Sequence, residues 1–162
     1  MHEVFFLGLV VIGTLIHLLL SRRPRTAKRI VEVFLLYLLV ICIGGGGLLA
    51  FYAHTFMADK VAINIGWAPG SPFQFEVAVS NLAFGTLGVL CIWLRENFWL
   101  AAGLASAVFR FGAAFGHIRD AIVHQNYAPY NVGAVLYVGD IFIPLLILIL
   151  LLVNKLLEKR TA

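Results

Sequence analysis

Nothing in this chain forms a basic face with interleaved aromatics, no internal repeat is visible and no low-complexity tail is present. The first absence excludes a nucleic-acid partner despite a formal net charge of +4, because the basic residues gather at helix ends, where lipid headgroups account for them. Cysteine is scarce: Cys42 and Cys91 both sit inside apolar stretches, build no disulfide framework, and read as small buried hydrophobes without a role. Charge is scarce too, at 12% of residues, whereas 62% are hydrophobic and the mean hydropathy is +0.97. A soluble domain of 162 residues could not keep that much apolar surface from water, which leaves an integral protein of the cell membrane in contact with the lipid bilayer.

A hydrocarbon core about 30 Å thick takes about 20 mostly apolar residues as helix. Five stretches qualify: Val4 to Leu20, Ile30 to Met57, Phe73 to Leu94, Phe98 to Ile118 and Val132 to Val153. The first lacks the basic start and A-x-A-like cleavage site of a secretory signal and is followed by arginines, so it reads as a retained span. With five spans, Arg22, Arg23, Arg25, Lys28, Arg29, Arg95, Lys155, Lys159 and Arg160 fall on one side, opposite only Lys60 and Arg119, with Arg110 inside the fourth helix. Lys and Arg in short loops mark the cytoplasmic side. The expectation is therefore a multi-pass, all-α bundle of five transmembrane helices, one domain over residues 1–162, with its amino terminus outside and its carboxyl terminus cytoplasmic. Four or six spans would separate the two basic clusters.

The outer connection from Ala58 to Gly70 contains Gly66-Trp67-Ala68-Pro69-Gly70, which cannot continue a helix, and Trp67 suits the headgroup interface. It is expected to fold back against the bundle, with Trp67 a candidate ligand contact. Ser71 as cap, Pro72 at the first helical position and Gln74 in capping-box position start the third helix. Glu76 then falls just over one turn inside and Asn81 about 14 Å along the axis, both in the outer half. Gly44-Gly45-Gly46-Gly47 interrupts the second span; close helix packing is one reading and a locally broken helix lining a cavity is the other. Gly112 and Gly116, with Ala113 and Ala114, read as a packing patch. Pro144 has no N–H for the carbonyl of residue 140, which would leave that carbonyl free beside the Asp140 carboxylate.

Ionisable groups inside a bilayer are expensive, at roughly 2.5 to 3.5 kcal/mol or more for a charge at the centre, so they pair, face a cavity or serve function. Arg110, His117 and His124 recur every seven residues, with Asp120 three beyond His117, which makes one polar stripe. Arg110 calls for an ion pair, with Asp140 or Glu76 as the acid. His54, Glu76, His117 and Asp140 come from four helices at one level. Two histidines and two carboxylates suit zinc or iron, with Asp120 and His124 as further ligands, while a cluster with Asn81 and Arg110 could equally bind a small polar ligand.

The stretch Ile65-Gly66-Trp67-Ala68-Pro69-Gly70-Ser71-Pro72-Phe73-Gln74-Phe75-Glu76, with Asn81-Leu82-Ala83-Phe84-Gly85 and Gly112-Ala113-Ala114-Phe115-Gly116-His117-Ile118, resembles a family of small prokaryotic integral membrane proteins of unknown function. The resemblance covers nearly the whole chain. It implies a polytopic helical fold with these polar motifs inside it, and no activity, substrate or cofactor.

Three functional classes follow. The first is an outward-facing intramembrane site of Glu76, Asn81, His117 and Asp140, with His54 nearby, binding a divalent metal or a small polar ligand; as an enzyme it would activate water with Glu76 as base. The second is an ion- or proton-coupled transporter or channel subunit using Glu76 and Asp140, which with five short spans needs a homo-oligomer. The third is a non-catalytic membrane subunit docking a partner through its basic loop, its polar cluster serving only to hold the helices together.

Overall fold

The computed structural model describes residues 2–161, the side chains of 160 and 161 excepted, and those residues are helical without a strand. Five helices are long and apolar enough to cross a membrane: α1 (His2–Leu20), α2 (Ala27–Phe56), α4 (Phe73–Leu90), α5 (Asn97–His124) and α6 (Pro129–Lys159). A short helix, α3 (Ala58–Ile65), lies between α2 and α4. The sequence there reads as an irregular connection, without a helix of its own. Ala62 and Ile65 are buried, so the segment does fold back onto the bundle, and Gly66 ends it in a left-handed conformation (φ 86°) that a side chain would resist.

The boundaries move where local chemistry overrides hydropathy. α4 stops at Leu90, before the expected Leu94, and α5 continues past Ile118 to His124, where Asp120 accepts from His124 Nδ1 across one turn at 2.7 Å. The expected capping box at the start of α4 is not formed: no side chain caps that end, and Gln74 turns inward, buried against His54. Two stretches are π-helical, Leu38–Gly45 in α2 and Val135–Phe142 in α6. In the second, Ile143 N–H reaches back five residues to the Val138 carbonyl. At the next position Pro144 therefore leaves the Gly139 carbonyl without its partner, where an α-helical register points to the carbonyl of residue 140.

The Gly44–Gly47 run packs rather than breaks. A Cβ on Gly47 would stand 2.7 Å from both the Asn81 carbonyl oxygen and Gly85 N, and one on Gly44 would stand 3.1 Å from Val89 N. Gly85 and Gly88 present the matching surface of α4, so α2 and α4 touch backbone to backbone. The main apolar cluster joins Val10, Leu35, Leu39, Trp99, Ile147 and Leu151 from α1, α2, α5 and α6, and Trp99 Nε1 donates to the Cys91 carbonyl. Both cysteines are free and buried. Arg25 and Arg29 bond back to Leu18 and His17 at the α1–α2 turn, and Glu96, Lys155 and Glu158 share a small pocket, which sets these termini at one end. The packed core fills that basic end and the middle, and a cavity occupies the end that carries α3.

Candidate functional site

The cavity measures about 830 Å³ and is walled by all five long helices, with α3 and the segment after it above. Its lining is mostly apolar, and its polar groups come from separate elements, among them His2 and Glu3 on α1, His54 at the end of α2, Gln74 and Asn81 on α4, Arg110 and His117 on α5, and Asp140 on the π-helical part of α6. Gly112 and Gly116, expected to pack against another helix, have open space within 4 Å instead and line the cavity with Ala113.

Arg110 answers the expectation of an ion pair. Its Nη1 lies 3.2 Å from Asp140 Oδ1 and also donates to the Gly139 carbonyl at 3.3 Å, the acceptor that Pro144 leaves over. Both side chains are largely withdrawn from solvent, 20% and 7% exposed, so the pair is weakly screened. Glycine at 139 lets three helices close here, since a Cβ would meet Glu3 Cγ at 3.2 Å and Arg110 Nη1 at 3.5 Å.

His117 is buried, and its orientation follows from Asn131, which is wholly buried at the start of α6. The Asn131 amide nitrogen donates to two carbonyls, those of Asn126 (2.7 Å) and His117 (3.3 Å), so its oxygen must face the ring. His117 Nδ1, 2.7 Å away, therefore donates to Asn131 Oδ1. In the neutral ring Nε2 is then the acceptor, and it faces Asp140 Oδ2 across 4.0 Å. A donor at that gap meets two acceptors, of which a hydroxyl proton serves one and an amine can serve both.

The remaining candidates divide. His54 Nδ1 pairs with Gln74 Oε1, and Asn81 Nδ2 donates to the Val77 carbonyl of its own helix at 2.9 Å. Gln74, Val77 and Asn81 share one face of α4; Glu76, two residues and roughly 200° beyond Gln74, is exposed on another face and is not among the cavity walls. Asp120 and His124 lie at the solvent end of the stripe, where Asp120 Oδ2 accepts from Trp67 Nε1 (3.0 Å) and Asn126 Nδ2 (2.6 Å). That network ties the α3 connection to α5 and holds Trp67 stacked on His117, with ring centroids 5.8 Å apart and planes inclined by 14°. Among the described residues no three His, Cys, Asp or Glu side chains converge as a metal centre would require. His54, Glu76, His117, Asp120 and His124 are instead spread over three places, and the Nδ1 atoms of the three histidines are already engaged.

A family profile matches residues 1–160. The chain belongs to DUF6790, a family of unknown function. No curated protein and no solved structure matches it. Membership bears out the resemblance drawn from the Gly66–Glu76 and Gly112–Ile118 stretches, as far as a family of unknown function goes. In this DUF6790 chain the polar groups that sequence reading passed over are Glu3, Gln74 and Asn131. Glu3 is buried, with His2 Nε2 2.8 Å from its carboxylate, and an acid in the first turn of an otherwise apolar helix was its available signal. Gln74 reads in the sequence as a capping residue, and Asn131 lies just outside the expected fifth span.

Proposed function

We propose that this protein is a five-span membrane protein whose cavity binds a small amphipathic molecule, apolar in its body and hydrogen-bonding at its head. The observation that carries the reading is the cavity itself: about 830 Å³, mostly apolar, with Arg110, His117 and Asp140 gathered on its wall. Ligand sites of about 300–1,000 Å³ with few, placed polar groups have this character. Arg110 is matched by Asp140 and the Glu3 carboxylate lies on the same wall, so no spare cation is offered to an anionic head; with His117 Nε2 as the neutral-ring acceptor beside Asp140 Oδ2, the head is a donor, such as a hydroxyl that donates to one of the two. The basic residues of the α1–α2 turn, Arg95, Lys155 and Lys159 lie at the end opposite the cavity, which supports a cytoplasmic basic end and an outward-facing site.

A metal-dependent enzyme is less well supported, since the proposed ligands are dispersed and Glu76 is remote from the other candidates. Coupled transport has one observation in its favour: both π-helical segments border the cavity, at Cys42 and at Gly139 and Asp140, and such segments frequently accompany function. The test is a titration of protein in lipid nanodiscs with bromododecanol, read as quenching of Trp67 by difference from Trp67→Phe. Saturation at one site per chain supports the reading. Linear, unsaturable quenching, or stoichiometric zinc or iron that is lost in His117→Ala, overturns it.

A further inference from the structure

The cavity is partly roofed at the α3 end, where Trp67, Ala68, Ser71 and Tyr130 line it while remaining exposed, and it also reaches the flank of the bundle. Above it, Val61 and Ile65 of α3 and the ring of Trp67 form a roof, held down by Trp67 Nε1 on Asp120 and by Asn126 Nδ2 on the Ile65 carbonyl at 2.8 Å. Gly70 N–H further bonds Asp59, which ties both ends of the α3 segment together.

The side between α4 and α5 differs. These helices meet near their middles, where the Phe84 and Phe109 rings stand 5.0 Å apart. From there toward the α3 end they are separated by the cavity: Phe73 and Val77 edge it on α4, and Gly112 and Gly116 edge it on α5, with Val108 edging it beside the Phe109 contact. Phe73 and Val108 are 67% and 66% exposed while also lining the cavity, and beside the two glycines nothing lies within 4 Å. Residues that are both cavity wall and outer surface mark openings: at the α3 end they include Trp67, Ser71 and Tyr130, whereas on this flank they are Phe73, Val108, Gly112 and Gly116, all apolar. An opening rimmed only by Phe, Val and Gly on the flank of spanning helices faces hydrocarbon, where water does not enter and a lipid-dissolved molecule already has its apolar body.

We infer that the cavity is loaded sideways from the bilayer through the gap between α4 and α5, and that its ligand is a membrane-dissolved, single-chain amphiphile with a hydroxyl-type head. The inference rests on the binding reading above and adds the route and the ligand class. The head passes Asn81 and comes to rest between His117 and Asp140, while the chain trails through the gap along Val77, Val108 and Gly112. Glycine at 112 and 116 keeps the gap wide enough for a methylene chain.

The test uses hexadecanol carrying a mid-chain diazirine, photolysed in proteoliposomes, with labelled residues mapped by mass spectrometry. In the unaltered protein, label on Asn81, Phe109 and Arg110 is expected. Gly112→Leu with Gly116→Leu fills the gap and is expected to reduce that label at least fivefold while leaving label on the exposed Ile122 unchanged; Phe73→Ala, which trims the rim, is expected to raise it. Cavity labelling that is indifferent to both variants overturns the route but leaves the binding reading intact. Near-quantitative cross-linking of two Gly112→Cys chains through this face would show a second copy covering the gap, and also overturns it. An unaltered cavity that takes no label at all removes the binding reading and the route together.

Discussion

Arg110 on α5 and Asp140 on α6 close across the cavity wall with Nη1 3.2 Å from Oδ1, and the same nitrogen takes the Gly139 carbonyl that Pro144 leaves unbonded. One guanidinium thereby neutralises a buried carboxylate and repairs an interrupted helix. Removing one member of a buried pair typically costs about 3 to 5 kcal/mol, whereas replacing both by apolar residues is often neutral. Asp140→Leu is expected to lower the thermal midpoint in detergent sharply, and Arg110→Met with Asp140→Leu to recover most of the loss. Equal destabilisation by the single and double variants would show that the pair does not act as a unit.

The contact of α2 with α4 leaves no room for side chains at Gly47, Gly85 or Gly88. Gly47→Val and Gly88→Val are expected to abolish a monodisperse peak in size-exclusion chromatography, because backbone atoms of the facing helix cannot yield. Gly45→Ala, with open space beside it, is expected to hold or gain up to about 1 kcal/mol. Normal elution of Gly47→Val would contradict the packing described.

Asn131 is the hinge of the His117 arrangement. In Asn131→Leu, the His117 Nδ1 donor and the Asn126 carbonyl both lose their buried partner, at about 1 to 3 kcal/mol for each unsatisfied group. The ring is then free to turn, so the stacked Trp67 is expected to shift its emission. An Asn131→Leu chain with native stability and an unmoved Trp67 spectrum would show that the buried amide does not orient the ring.

Gln74 and Glu76 should separate cleanly. Glu76→Gln is expected to change neither thermal midpoint nor alcohol binding, since Glu76 is exposed outside the cavity. Gln74→Ala removes the His54 partner and should alter both. The opposite pattern, measured by the Trp67 quenching titration, would return the site to the carboxylate.

These two residues also show what the sequence could and could not reveal. Length and hydropathy were enough to find five long helices, because a run of about 20 apolar residues has few other uses. The cost of a buried charge was enough to expect an ion pair for Arg110 and to mark His117, but not to choose between Asp140 and Glu76 as its acid. Which face of α4 turns inward was not legible: a helix apolar on most sides has little amphipathic pattern to orient it, so Glu76 and Gln74 exchanged roles. The π-helical stretches were hidden for a related reason. A shift from four to five residues per bond leaves no mark in composition, and it moved the orphaned carbonyl from residue 140 to residue 139. Asn131 escaped because its importance depends on three-dimensional partners, the His117 ring and the Asn126 carbonyl, that no spacing rule connects.

The most direct test of the account is native mass spectrometry of the protein released from its own membranes, compared with Ala113→Phe, which fills the cavity from α5. One bound single-chain amphiphile per chain is expected in the unaltered protein and a bare chain in the variant. Bare chains in both, or the same adduct undiminished in Ala113→Phe, would contradict it.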